Sequence, residues 1–202
     1  STPTSTRTPT STATVTSTQV SGQQTVTFVI NSGINDVNED GTSFVSNTTT
    51  DWIGSGANPS ASFAGLRFTG ITIPHNATIV SAHLEVYSVQ GQWIQVTMQT
   101  AADLSDNSAA FSASSKPSQR TLTTAKIAHS SNTNWAANTW YSLDEIKAVV
   151  QEIVNRSGWQ SGNSLSLILK GTASGRYGRK NVRAFEGGAA QAIRLVVTYT
   201  FP

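Results

Sequence analysis

The sequence of 202 residues has no cysteine, one methionine and few charged residues, which make up 12% of the chain. The absence of cysteine excludes a disulfide framework, a thiolate zinc site, an iron–sulfur cluster and a cysteine nucleophile. No apolar run approaches the roughly 18 residues of a membrane-spanning helix, so we expect no membrane span. A chain of this length can bury about 70% of its unfolded surface without covalent staples. The low charge favours an exported protein over a cytosolic enzyme, so we expect an extracellular or cell-surface location.

The net charge and the first residue add two weaker expectations. A net charge of +2 is too small to indicate a nucleic-acid partner. The chain begins at Ser1 with neither an initiator methionine nor an apolar signal core, so we expect a processed product. Sequons at Asn47, Asn76 and Asn155 are compatible with an exported glycoprotein.

Residues 1–21 differ in composition from the rest and are predicted to form an extended Ser/Thr/Pro-rich tail. One interpretation is an extracellular linker that carries O-linked glycans. The other is a strand donated to a neighbouring subunit, because part of the tail has β-branched side chains at alternate positions and no proline. The residues of this predicted assembly segment are Thr12, Ala13, Thr14, Val15, Thr16, Ser17, Thr18, Gln19 and Val20.

From residue 22 onward the apolar side chains recur at every second position. The alternation is clear in Leu66 and Phe68, in residues 78–87, in residues 165–169 and in residues 193–199. Clusters of Gly, Asn, Ser and Pro separate these runs, which is typical of antiparallel strands joined by turns. We therefore predict an all-β fold for residues 22–202, an antiparallel, jelly-roll-like β-sandwich. Residues 35–47 are interpreted as a polar loop.

One segment has the pattern of an amphipathic helix, predicted over about residues 143–156. Ser142 and Glu145 have the spacing of a capping box. Apolar residues then follow at helical spacing, and Gly158 is the expected C-terminal cap. The apolar stripe consists of Ile146, Val149, Val150, Ile153 and Val154.

Three stretches together are similar to one known family. They are Leu66-Arg67-Phe68 with the downstream run from Ile73 to Leu84, the segment from Gln151 to Leu167, and the closing run from Leu195 to Tyr199. The combination resembles the DNRLRE-type extracellular jelly-roll domains, although the Asp-Asn-Arg-Leu-Arg-Glu string itself is absent. The resemblance implies a secreted or surface β-sandwich that serves as an accessory module. Some relatives bind polysaccharide, and the resemblance does not imply catalysis.

A short acidic segment matches the first half of a calcium-binding loop. Asp36, Asn38 and Asp40 precede Gly41 with the D-x-N-x-D-G spacing, which supplies hard oxygen ligands and a sharp turn. The twelfth position is Asn47 rather than a bidentate Glu, so the segment is not an EF-hand. No cofactor is required by the sequence, and bound calcium here would stabilise a loop. The alternative is a polar surface turn.

The five tryptophans are numerous for a chain with few aromatic residues. Trp93 and Trp135 lie in polar segments, where an exposed indole could stack on a sugar ring. Gln92 and Asn134 stand beside them and could hydrogen-bond sugar hydroxyls. A place in the core is an equal alternative for both indoles. The other three are expected in the core: Trp52, Trp140 and Trp159.

The densest positive segment is residues 175–183, which contain Arg176, Tyr177 and Arg179. Arginine forms bidentate contacts with oxyanions, so this segment could bind an acidic sugar. The alternative is an exposed loop whose charges pair with Glu186 and nearby acids. We do not expect it to bind nucleic acid.

No catalytic motif is present. The eleven acidic residues include no evident pair for glycoside hydrolysis, the three histidines are scattered, and no G-x-S-x-G motif occurs. We expect a non-enzymatic extracellular protein, a structural subunit that self-associates into a filament or surface layer through its N-terminal segment. The alternative is a carbohydrate-binding module that recognises a polysaccharide.

Overall fold

The computed structural model describes residues 18–20, by their backbone, and residues 22–202. In this part of the chain the fold is an all-β sandwich with one α-helix. The elements in chain order are β1 Thr18–Val20, β2 Gln23–Val29, β3 Asp36–Asp40, β4 Ser43–Ser46, β5 Thr50–Gly54, β6 Ser62–Phe68, β7 Thr78–Ser88, β8 Val96–Ala102, β9 Ile127–Ser131, β10 Thr139–Ser142, α1 Lys147–Val154, β11 Leu165–Gly171, β12 Arg179–Arg183 and β13 Arg194–Thr200.

Two antiparallel sheets form the sandwich. The first has the strand order β1-β2-β13-β7-β12-β5, with β10 also paired to β7. The second has the order β4-β3-β6-β11-β8-β9. Successive strands alternate between the sheets over much of the chain, as in a jelly roll, and the predicted fold class is confirmed. No helix in the described residues is long and apolar enough to cross a membrane.

The core lies between the sheets and is built from the predicted alternating residues. Leu195, Val197 and Tyr199 of β13 are buried, while the residues between them are partly exposed. In β11, Leu165 and Leu169 are buried in the same core. Because successive side chains of a strand point to opposite faces, the period-two pattern directly marks the inner face of each sheet.

The helix begins later than the sequence pattern predicts. It starts at Lys147 rather than near residue 143, and Ser142 is the last residue of β10. Glu145 does not form the predicted capping box. Its Oε1 accepts hydrogen bonds from the backbone N–H of Ala82, at 2.6 Å, and of Lys147, at 2.8 Å. Ser142 pairs with Glu85 of β7, and the N–H groups of Leu143 and Ile146 donate to carbonyls of the same strand, so β7 binds the residues that would have opened the helix.

The helix also ends without the predicted glycine cap. It ends at Val154, and the backbone N–H of Asn155 donates to the carbonyl of Gln151. Gly158 is not among the glycines with positive φ. A Cβ at Gly158 would instead meet the carboxylate of Asp106, so a larger residue there would displace this side chain, which is bonded to Arg156.

The predicted polar loop at residues 35–47 is wrong. The segment contains β3 and β4, which pair as a hairpin around Gly41, a glycine with φ of 64°. Val37 packs with Phe111 and Ile168, which cover the outer face of the second sheet. The composition of this segment is typical of a turn. Its polar side chains nevertheless lie in a strand, because they form hydrogen bonds to distant parts of the chain.

The end of the N-terminal segment belongs to the sandwich. Thr18–Val20 form the edge strand β1 of the first sheet and pair with β2, with Val20 opposite Gln23. Residues 12–17 of the predicted assembly segment lie outside the described residues. Self-association through this segment therefore stays a prediction.

Candidate ligand-binding site

A surface cavity of about 230 Å³ lies beside the loop that joins β7 to β8. Trp93 is the most exposed large apolar side chain among the described residues, with 77% of its surface accessible. Tyr177 and Ile94 are also exposed. We call this site the Trp93 cavity, and its lining residues are Gln90, Gly91, Gln92, Trp93, Ile94, Tyr177, Arg179 and Asn181. Within the described chain, no carboxylate belongs to this lining.

The loop that carries Trp93 is held in place by Gln92. The backbone N–H and carbonyl of Gln92 exchange two hydrogen bonds of 2.8 Å with Trp135. Its side-chain Nε2 donates to Ser88 Oγ and to the carbonyl of Asn181, both at 2.8 Å, and its Oε1 accepts from the Asn181 N–H. The side chain of Gln92 is therefore fully occupied in positioning the loop.

The buried lysine Lys180 also forms hydrogen bonds that fix the loop carrying Trp93. Its Nζ donates to the carbonyl of Gln92 at 3.0 Å and to that of Thr133 at 3.1 Å. The ammonium also lies 5.4 Å from the ring centroid of Trp135. Burial lowers the pKa of Lys180, because desolvation penalises the charged ammonium. One cation thus joins two loops that are distant in sequence.

Tyr177 forms the other wall of the cavity and has a strained backbone. Its φ of 61° is in the left-handed region, which a tyrosine rarely adopts. The conformation is held by the bond from its N–H to the carbonyl of Gly56, at 2.9 Å. The guanidinium groups of Arg176 and Arg179 lie 5.7 and 5.1 Å from its ring centroid. Strain of this kind is often found where a side chain must be presented to a ligand.

The cations of the 175–183 segment have no acidic partner in the part of the chain that the structure describes. Within residues 22–202, Arg176, Arg179, Lys180 and Arg183 form no salt bridge, whereas other arginines do, for example Arg120 with a buried aspartate. The expected alternative, in which these charges pair with Glu186, is therefore wrong. Arg176 donates from Nε to the carbonyl of Ala57. The segment presents positive charge that is not neutralised within the described protein.

The structure brings together four of the seven residues predicted for glycan binding: Gln92, Trp93, Tyr177 and Arg179. Arg176 stands next to them through its contact with Tyr177. Trp135 is not part of a binding surface. It is 4% exposed, belongs to the core and stacks on Tyr141 with ring centroids 4.4 Å apart. Asn134 is exposed but does not line the Trp93 cavity.

Four lining residues were missed by the sequence analysis: Gln90, Gly91, Ile94 and Asn181. Ile94 fits the alternation of the following strand, yet β8 starts only at Val96 and Ile94 is exposed. Asn181 is flanked in β12 by the buried Lys180 and Val182, so it lies on the opposite, outer face. The position of Asn181 on the outer face could have been inferred from the alternation of β12. This inference requires the strand to be recognised first, and its basic composition hid it.

Among the tryptophans expected in the core, only one is fully buried. Trp159 is buried, and its Nε1 donates to the carbonyl of Ile73 at 3.0 Å. Trp140 is half-buried and lies under the guanidinium of Arg194, whose Cζ is 4.0 Å from a ring centroid. Trp52 is also half-buried. The core assignment is wrong for the last two.

The predicted calcium ligands lie in a strand rather than a loop. Asp36, Asn38 and Asp40 share one face of β3, and the outer two are about 13 Å apart along an extended chain. Each of the three side chains forms hydrogen bonds with the main chain of a different segment. Asp36 accepts from the N–H of Phe185 at 2.7 Å, and Asn38 exchanges two bonds with the main chain of Trp52.

Asp40 connects to a third segment. Its carboxylate accepts from the N–H groups of Ala57, at 2.7 Å, and Asn58, at 2.8 Å. Burial alone would raise the pKa of Asp40, but these hydrogen bonds outweigh it and lower the pKa. Among the described residues, no three His, Cys, Asp or Glu side chains are grouped so as to hold a metal ion. Calcium binding stays a prediction, without the loop on which it was based.

Two buried carboxyl groups lie where the sheets meet. Burial raises the pKa of Asp36 to about 7, with further contributions from the charges of Asp51 and Glu186. Burial likewise raises the pKa of Asp51 to about 6, again with Glu186 adding to the shift. One oxygen of each aspartate, Oδ1 of Asp36 and Oδ2 of Asp51, has no hydrogen-bond partner in the described structure. Asp36 is therefore partly protonated near neutral pH, whereas Asp51 takes up its proton only as the pH falls to about 6.

Comparison with known proteins gives no match, either among family models or among curated proteins. The resemblance to DNRLRE-type domains therefore stays a prediction. The function has to be argued from the geometry of the site itself.

Proposed function

We propose that this chain is a non-enzymatic, extracellular carbohydrate-binding protein and that the Trp93 cavity binds the sugar. The observation that carries the proposal is the combination of a highly exposed indole with a loop that cannot easily move. Trp93 leaves 77% of its surface in water, while Gln92 next to it is fixed by hydrogen bonds to four other residues.

An exposed tryptophan on a fixed loop is suited to stacking. The apolar face of a pyranose ring covers an indole and removes its surface from water, which is favourable in proportion to the area buried. A loop that is already ordered loses little conformational entropy on binding. Tyr177 offers a second exposed ring in the same cavity, held by a strained backbone.

The polar lining supplies donors and acceptors for sugar hydroxyls. Arg179 offers guanidinium N–H groups, and the side chains of Gln90 and Asn181 offer both donors and acceptors. Hydrolysis of a glycosidic bond ordinarily needs two carboxyl groups around the scissile bond. A lining of amides, arginine and aromatic rings favours binding without cleavage.

Self-association through Thr12–Val20 remains a separate proposal. Its support is the alternation of the tail and the position of β1 at the edge of a sheet, where an additional strand could pair. The described residues favour the sugar-binding function more strongly, because several predicted binding residues meet in one cavity.

The first test is affinity electrophoresis of the full chain in gels that contain soluble plant, algal or bacterial polysaccharides, neutral and acidic. We expect at least one polysaccharide to retard the protein and Trp93→Ala to lose at least about tenfold in affinity, which corresponds to roughly 1.4 kcal/mol. The matched control is Phe201→Ala, because Phe201 is an exposed aromatic residue that does not line the Trp93 cavity.

Two results would contradict the proposal. One is the absence of retardation by every polysaccharide tested. The other is an equal loss of retardation in Trp93→Ala and Phe201→Ala, because the Trp93 cavity would then have no special role.

A further inference from the structure

A second cavity, of about 220 Å³, opens between the edges of the two sheets. It is bordered by β3 and the edge strand β4 of one sheet and by the edge strand β5 of the other. We call it the Trp52 cleft, and its lining residues are Asn38, Asp40, Ser43, Val45, Thr48, Thr50, Asp51 and Trp52. The sequence analysis marked Asn38 and Asp40 only as calcium ligands and placed Trp52 in the core, so it did not predict a sugar site here.

The Trp52 cleft and the Trp93 cavity are neighbours. Trp52 stands opposite Asn181 in the pairing of β5 with β12, so the two side chains lie on the same face of the sheet. Asn181 lines the Trp93 cavity, whereas Trp52 lines the cleft. The guanidinium of Arg179 lies 5.4 Å from a ring centroid of Trp52 and 5.1 Å from that of Tyr177. A single arginine therefore contacts an aromatic ring of each cavity.

The cleft resembles the Trp93 cavity in its aromatic and polar lining, but it is also lined by the carboxyl groups of Asp40 and Asp51. Both carboxyl groups accept hydrogen bonds within the protein, Asp40 from the N–H groups of Ala57 and Asn58 and Asp51 from the Thr48 hydroxyl. Trp52 and the exposed Val45 supply apolar surface, and Ser43 and Thr50 supply hydroxyl groups. A mixture of an aromatic ring, an aliphatic side chain and hydroxyl groups fits a pyranose ring, which has apolar faces and a polar rim.

The cleft is also ordered in advance of any ligand. Asn38 Nδ2 donates to the carbonyl of Trp52 at 2.8 Å, and the N–H of Trp52 donates to Asn38 Oδ1 at 2.9 Å. This pair of bonds satisfies the main chain of an edge strand with a side chain of the other sheet. It holds Trp52 at the mouth of the cleft, so binding there orders little additional structure.

We propose that the Trp52 cleft is a second sugar subsite and that one polysaccharide chain occupies both cavities by crossing Arg179. This proposal rests on the proposed function, because it assumes that the Trp93 cavity binds sugar. It adds that the ligand is a chain of several units, since a single sugar cannot occupy both cavities.

The consequence is a dependence of affinity on chain length. Once a ligand is bound in the Trp93 cavity, its contact with the cleft becomes intramolecular, and such linked contacts commonly strengthen binding by about 10² to 10⁴-fold. Short oligosaccharides gain nothing from the cleft. Long ones gain its full contribution.

The experiment is isothermal titration calorimetry with size-fractionated oligosaccharides of the polysaccharide that wild-type protein retains. We expect affinity to rise at least about tenfold with chain length and then to level off. Trp52→Ala should remove this rise and leave the affinity for the shortest bound oligosaccharide unchanged. Val45→Trp should have the same effect by filling the cleft, and it keeps Trp52 and its packing intact.

The matched control is Val80→Trp, since Val80 is an exposed valine on β7 that lines neither cavity. A length dependence that persists in both Trp52→Ala and Val45→Trp would overturn the second subsite while leaving the Trp93 cavity as the binding site. Affinity that does not depend on length in wild-type protein would also overturn it. If no oligosaccharide binds wild-type protein, the proposed function itself has failed.

Discussion

The two ends of the β5–β12 strand pair differ in the sign and in the burial of their charges. At the end where Arg179 is opposite Gly54, the exposed Arg176 and the half-buried Arg179 stand beside the Trp93 cavity and have no acidic partner among the described residues. At the other end, where Arg183 is opposite Thr50, the carboxyl groups of Asp36 and Asp51 are buried. At the first end the guanidinium groups remain in contact with water and can reach a ligand. At the second end the carboxyl groups are shielded from water by the two sheets.

The difference has energetic consequences. Exposed guanidinium groups cost the fold little, because water solvates them. Buried carboxyl groups without full hydrogen bonding are costly when ionised, so their pKa is raised and they take up protons instead. The end with Arg179, which we call the basic end, is therefore suited to binding. The end with Asp36 and Asp51, which we call the acidic end, makes the stability of the fold depend on pH.

The largest expected effect comes from Trp135, the indole beneath the basic end. Trp135→Ala should lower the free energy of unfolding by about 3–5 kcal/mol, because it leaves a cavity beside Tyr141 and Lys180. Trp93→Ala should change it by less than about 0.5 kcal/mol, since this indole is exposed. Urea denaturation of both variants measures the contrast. Equal effects would mean that the assignment of one indole to the core is wrong.

The acidic end should make the protein more stable in mild acid. The pKa values of Asp36 and Asp51, about 7 and about 6, exceed their unfolded value of 3.8, so the folded state binds more protons over this range. Their contribution is complete below pH 3.8 and is lost as the pH rises through 6 to 7. From pH 4.5 to 8 we expect the free energy of unfolding to fall on the order of 5 kcal/mol from these groups.

Asp36→Asn isolates this contribution, since the amide oxygen can still accept from the Phe185 N–H. The variant should have a shallower pH dependence than wild-type protein and should be the more stable of the two at pH 8. Urea denaturation at several pH values tests this. Parallel curves for the two proteins would show that Asp36 does not take up a proton near neutrality.

A smaller effect is expected for Lys180, the buried cation under the basic end. Lys180→Met leaves the carbonyls of Gln92 and Thr133 without this donor, which should cost about 1–2 kcal/mol. Amide hydrogen exchange in the loop around Gln92 should become faster. Lys170→Met is the control, because Lys170 is exposed. Unchanged exchange in the loop would show that Lys180 does not hold it.

The smallest effect on folding is expected at the opposite edge of the same sheet. Of the described elements, a chain that starts at Gln23 lacks the short edge strand β1 and no other, and it should keep its cooperative unfolding. Negative-stain electron microscopy of the two chains tests the predicted assembly segment. Filaments from the full chain alone would support self-association through the tail, and monomers from both would contradict it.

The fold could largely be predicted from the sequence, whereas the site could be predicted only in part. The alternation in β13 and the apolar stripe of α1 are local patterns with fixed periods, so both elements were found. The start of the helix was missed because Glu145 bonds to Ala82, a residue far away along the chain. The β3–β4 hairpin was missed because its polar residues find buried partners in other strands.

Trp93 and Trp135 show the limit most clearly. Both lie among Gln, Asn, Gly and Ser residues, and the local sequence offers no reason to separate them. Gln92, the residue before Trp93, pairs with Trp135 in one isolated β-bridge, yet the ring of Trp93 lies in solvent and that of Trp135 in the core. The core indole also meets Lys180, whose contact with Gln92 joins residues 88 positions apart.

The sequence by itself determined the class of fold, because the spacing of apolar side chains along a strand decides which face can be buried, and this spacing is a local property. Only the tertiary structure decided which indole meets solvent, which cations lack an acidic partner and which carboxyl groups are withdrawn from water. These properties are set by contacts between strands that are remote in the chain. Their energies arise from desolvation and packing, which exist only when the two sheets have come together.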